Sequence, residues 1–155
     1  MKFWDSSAVL PLLVSEPSSA AVAAVYNRDA DQIVWCLTEV EAASALSRRE
    51  REGGEVDDVA GARAKLRLLV ERWEEVTSIQ NVRVRALRLL STHSLRAADA
   101  LQLAAALVYC DERTESLPFV CLDDRLADAA RTISAHLAAA FGLRGLFGLD
   151  LVWDG

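Results

Sequence analysis

Lys2-Phe3-Trp4-Asp5-Ser6-Ser7-Ala8-Val9-Leu10 opens the chain as a short apolar strand that ends in an aspartate and turns through two serines into a helix. In an open parallel sheet, ligands sit at the carboxyl ends of the strands. An acid in that position is either a cap for the following helix or the first member of a site. The rest of the chain decides between these by whether it returns further carboxylates to the same edge.

Outward from this stretch, the pattern alternates between strand and helix. Ser6 or Ser7 can cap a helix running to about Leu13, with Pro11 compatible only with its first turn or a kink. Glu16-Pro17 breaks it, and Ser18 or Ser19 starts an alanine- and valine-rich helix to about Tyr26. Gln32 to Cys36 is a second strand by its β-branched and aromatic character. Thr38-Glu39-Val40-Glu41 fits a capping box opening a helix that reaches Gly53-Gly54. Asp57 to Trp73 is amphipathic through Val59, Ala62, Leu66, Leu69, Val70 and Trp73.

Glu75 to Thr77 reads as a minor strand, Asn81 to Ser91 as a helix, and Arg96 to Tyr109 as a helix apolar nearly all round, hence buried. Phe119 to Leu122 is the last clear strand, Asp124 to about Phe141 a helix, and Leu149 to Val152 a possible final strand. This alternation predicts one α/β domain over residues 1–155 with a mostly parallel sheet.

The 155 residues are 52% apolar and 26% charged, a globular composition. No apolar run approaches the roughly 20 residues that span a bilayer, and Asp5 falls where a signal sequence would be apolar, so the expected location is cytoplasmic. Three cysteines (Cys36, Cys110, Cys121) without close spacing and two distant histidines (His93, His136) make a zinc site unexpected. A net charge of −6 argues against a protein that coats nucleic acid through overall charge, though arginines can still cluster locally.

Four acids stand out. Asp5 ends the first strand; Glu41 lies in the first turn after the second; Asp99 sits in the apolar run Arg96 to Ala106; Asp123, beside Asp124, follows the last strand. Each has a plain alternative: Asp5, Asp123 and Asp124 as helix caps, Glu41 as half of a capping box, Asp99 as ion-pair partner of Arg96. Converging at one edge, they would instead repel one another unless a divalent cation lay between them. Hard oxygen ligands suit magnesium or manganese, which can activate water and stabilise a leaving phosphodiester oxygen. A phosphate-binding glycine loop, a dinucleotide fingerprint and a Gly-x-Ser-x-Gly elbow are all missing from the sequence.

Four stretches, in order, resemble the PIN domain family, specifically its VapC-type toxin ribonucleases. They are Phe3 to Val9 with Glu16-Pro17, Glu41 to Arg48, Leu95 to Ala106, and Val120 to Leu126. The resemblance runs to about Arg131 and implies a three-layer α/β/α fold with a small, mostly parallel sheet. It further implies an endoribonuclease dependent on Mg2+ (or Mn2+), with Asp5, Glu41, Asp99 and Asp123 as catalytic acids and Asp5, Asp99 and Asp123 holding the metal. A serine of the Ser6-Ser7 pair would be a polar neighbour and Asp124 a supporting acid, with Glu39 a weaker candidate than Glu41. The implied partners are an RNA substrate, a cognate antitoxin and a second copy in a homodimer. Arg48, Arg49, Arg51 and Arg96 are candidate RNA contacts. Against the family pattern, Thr132 to Phe141 prolongs the last helix before Gly142 appears. A non-catalytic binding module and a small-molecule phosphohydrolase are the alternatives.

Overall fold

The structure, a computed structural model, describes residues 1–53 and 56–140. Its elements are β1 (Lys2–Trp4), α1 (Ser6–Leu13), α2 (Ser19–Arg28), β2 (Gln32–Trp35), α3 (Thr38–Arg51), α4 (Val56–Val70), β3 (Glu74–Val76), α5 (Ile79–Thr92), α6 (Ala97–Tyr109), β4 (Phe119–Val120) and α7 (Asp124–Ala140), with a 3-10 turn at Thr114–Ser116. The four strands form one sheet in the order β3-β2-β1-β4, and every pairing is parallel. The expected strand at Leu149 to Val152 lies outside the described residues.

Both faces of β1, β2 and β4 are covered, which is why these strands are buried at successive positions, whereas β3, at one end of the sheet, exposes Glu74 and Glu75. Phe3, Ile33, Trp35 and Phe119 point to one side, into a core with α5, α6 and the start of α7. Trp4, Val34 and Val120 point to the other, into a core with α1 to α4. Parallel register aligns Phe3 with both Ile33 and Phe119, and the Phe3 and Phe119 rings stack with centroids 5.4 Å apart. The layers are therefore helix, sheet, helix, as expected.

The amphipathic pair α3 and α4 spends its apolar stripe internally. Ala42 and Leu46 of α3, Ala62 and Leu66 of α4, and Trp73 are buried together against Trp4, Val9 and Leu13. Pro11 sits within α1 beyond its first turn. It gives no N–H to the carbonyl one turn earlier, and α1 ends two residues later.

Candidate active site

Asp5 leaves β1 in extended conformation (φ −70°, ψ 153°) and is itself the N-cap of α1, its carboxylate accepting from the Ser7 N–H at 2.9 Å. The cap expected at Ser6 or Ser7 thus lies one step earlier. The serines are inside the helix because the last extended residue is the aspartate. The Ser7 hydroxyl also donates to Asp5 Oδ2, while accepting from the Leu122 N–H at 3.0 Å. One side chain thereby ties the end of β1 to the segment leaving β4. Asp5 is only 3% exposed. Its burial, reinforced by the charges of Glu41 and Asp99 and opposed by the Ser7 hydrogen bonds, pushes its pKa up to about 6. Cys121 lies against it, Sγ 3.8 Å from Asp5 Oδ2, and burial, then the Asp5 charge, drives that thiol far upward, so it carries no thiolate.

The capping box expected at Thr38 and Glu41 does not form. Leu37 is the N-cap of α3, without a side-chain cap bond, and Thr38 is the first helical residue. The physical reason is a third residue. Gln102, on α6 and 1% exposed, donates from Nε2 to Thr38 Oγ1 at 3.1 Å and to Glu41 Oε2 at 2.8 Å. Nothing in the sequence pattern by itself gave Gln102 a role. The available signal was an amide standing inside the apolar run Leu101 to Ala106.

Asp99 lies in the first turn of α6, where the positive end of the helix dipole favours a carboxylate. Its Oδ2 accepts from the Arg96 backbone N–H at 3.2 Å. The ion pair with the Arg96 side chain, the plain alternative for Asp99, is not made. Asp123 follows β4 and caps α7, its Oδ1 accepting from the Leu126 N–H at 2.9 Å. Asp124 and Glu39 are exposed.

Asp5, Glu41, Asp99 and Asp123 therefore come from four separate elements, three of them directly after a strand of the parallel sheet. Each uses one oxygen for a protein hydrogen bond (Asp5 Oδ2, Glu41 Oε2, Asp99 Oδ2, Asp123 Oδ1). The other oxygen of each has no donor among the described residues, and no Arg, Lys or His pairs with any of the four. As the side chains stand, no three His, Cys, Asp or Glu among the described residues are grouped closely enough to hold a metal. Asp5 nonetheless feels the charges of Glu41 and Asp99.

A model of the PIN domain matches residues 2–132. The chain belongs to the PIN domain family. PIN domains are generally metal-dependent nucleases acting on nucleic acid, and typically use divalent metals such as Mg2+. No curated protein matches the chain. The family match ends inside α7, which continues to Ala140. No helix among the described residues is long and apolar enough to cross a membrane. The donor set of this PIN domain fits a divalent cation of the magnesium class: the oxygens are hard, and among the described residues the buried carboxylate of Asp5 has no cation partner and one oxygen of each acid is left over.

Proposed function

We propose that this PIN domain is a Mg2+- or Mn2+-dependent endoribonuclease of the VapC toxin type, folded as a single domain, with Asp5, Glu41, Asp99 and Asp123 as its site. The observation that supports the reading is that Asp5, Glu41 and Asp123 follow three strands of one parallel sheet, that Asp5 feels the charges of Glu41 and Asp99, and that each of the four acids keeps an unbonded oxygen. In this reading Asp5, Asp99 and Asp123 hold the metal, which when bound supplies Lewis acidity toward a phosphodiester. Glu41, fixed at Oε2, presents its other oxygen to orient the attacking water. Ser7 keeps the Asp5 carboxylate turned by two hydrogen bonds to one oxygen.

Regulation by a cognate antitoxin belongs to the same reading and is supported by Leu37 and Val40, 43% and 62% exposed in the segment that carries Glu41. An inhibitory peptide could cover this apolar rim and bring a basic side chain to the acids. A homodimer is supported by Val84, Leu87 and Leu90, exposed on the outer side of α5.

Incubation of the purified chain with a structured RNA in Mg2+, Mn2+ or chelator tests the activity. Metal-dependent internal cleavage, leaving 5′-phosphate and 3′-hydroxyl ends and lost in Asp99→Asn, is the expected result. The non-catalytic reading draws on the carboxylates not being grouped for a metal as they stand. It prevails if wild type and Asp99→Asn leave RNA equally intact while the protein still binds an antitoxin peptide.

A further inference from the structure

The position of Gln102 rests on no packing advantage. It is 1% exposed among Leu103, Ala104, Ala105 and Ala106, all buried and apolar. Its carbonyl oxygen Oε1 is buried without a hydrogen-bond partner, an arrangement that costs stability where an apolar side chain would not. Its amide nitrogen, by contrast, is used twice, toward Thr38 Oγ1 at 3.1 Å and Glu41 Oε2 at 2.8 Å.

We infer that Gln102 is a positioning residue for the proposed nuclease site, holding Glu41 by one carboxylate oxygen so that the other is presented to the reacting water; this rests on the function proposed above. An ionised carboxylate only accepts hydrogen bonds. The amide must therefore turn its NH2 toward Glu41, and the orphaned carbonyl is the consequence of that orientation. Thr38 completes the arrangement by taking the second N–H, which keeps the amide plane from rotating. Gln102 stands one helical turn after Asp99 on α6, and Thr38 one turn before Glu41 on α3. The amide thus joins the two helices that carry these acids and sets the orientation of one relative to the other. Groups that orient a site carboxylate in this way commonly contribute about 10- to 100-fold in activity or metal affinity.

Gln102→Met, of similar length and without polar atoms, tests this against a purely structural role. The variant should melt at or above the wild-type temperature. Its kcat on RNA should fall about 10- to 100-fold, with KM changed by no more than about twofold, because Gln102 touches neither RNA nor metal. In a Glu41→Gln background the same substitution should cost nothing further. An unchanged kcat, or an equal further loss in the Glu41→Gln background, overturns the inference. A readout independent of activity is the side-chain NH2 signal of Gln102 in an NMR titration with Mg2+. The signal should move together with the backbone amides of Asp5 and Ser7. If those backbone amides move and the Gln102 amide does not, the positioning role is wrong. If none moves and RNA stays intact, the proposed nuclease site itself falls, and the positioning role with it.

Discussion

At the scale of the residue, the informative side chain is Asp5, which combines two tasks that pull in opposite directions. As an N-cap it stabilises α1; as a buried carboxylate beside Glu41 and Asp99 it costs stability when ionised. Its pKa is raised in the fold from 3.8 to about 6. Below about pH 4 it is protonated in folded and unfolded chains alike and contributes no penalty. As pH rises through about 6 the unfolded chain is already ionised, and the fold carries the full cost, about 3 kcal/mol. Asparagine caps a helix as well as aspartate. In chelator, Asp5→Asn should therefore match wild type near about pH 4 and exceed it by about 3 kcal/mol near about pH 8. Denaturant titrations at both pH values check this, and a constant difference would show that Asp5 is not desolvated as described. Ser7→Ala should act in the opposite sense on two counts. It raises the proton affinity of Asp5 further by removing the Ser7 hydroxyl hydrogen bond that lowers it, while the Ser7 backbone N–H bond stays. It also leaves the Leu122 N–H without its acceptor, at about 1–3 kcal/mol, readable as a lower denaturation midpoint.

At the scale of the element, helix ends carry the site, and two substitutions at one position separate capping from chemistry. Asp123→Asn keeps the oxygen that caps α7, so the fold should hold within a few tenths of a kcal/mol while RNA cleavage is lost. Asp123→Ala should lose both, with a further cost of about 1 kcal/mol in unfolding free energy. Equal activity of the asparagine variant and wild type would make Asp123 a cap alone. The arginines separate in the same way. Helix α3 rises from Glu41 to Arg51 over roughly 15 Å, so Arg48 and Arg51 stand at the far end from the acids, and Arg49 is paired with Glu16. Arg96, exposed just ahead of α6, lies beside Asp99. Arg96→Ala should raise KM for RNA, with little change in kcat, whereas Arg51→Ala should leave both within about twofold. Initial-rate kinetics at fixed ionic strength compare the two.

At the scale of the whole molecule, the charge of −6 and the placement of the acids together make the sheet edge a poor surface for RNA unless cations are present. Mg2+ should therefore improve RNA binding as well as cleavage, and a basic antitoxin peptide should compete with it. Inhibition titrated at several Mg2+ concentrations checks this. Weaker inhibition at high Mg2+, and a loss of inhibition when the peptide's basic residue is replaced, are the expected outcomes. Inhibition indifferent to both would place the partner away from the carboxylates.

Local pattern in the sequence determined the strands, most helices and the parallel α/β architecture, because strands apolar at successive positions can be stable only between two helical layers. The same pattern put Asp5, Glu41 and Asp123 after strands, since a parallel sheet sends each strand's carboxyl end into the turn before the next helix. What tertiary structure alone decided is which partner each acid takes. Glu41 was legible as a capping-box residue, and only the approach of α6 to α3 brings the Gln102 amide to it in place of that cap. Asp99 was legible with an arginine one turn away, yet it takes the Arg96 backbone N–H, because that donor is exposed at the start of α6. Ser7 was legible as a helix cap, but its hydroxyl instead joins Asp5 to the Leu122 N–H, 115 residues further along the chain. Periodicity and capping propensity are local and survive in a single sequence; hydrogen-bond partners 61 to 115 residues apart are set by how the layers pack.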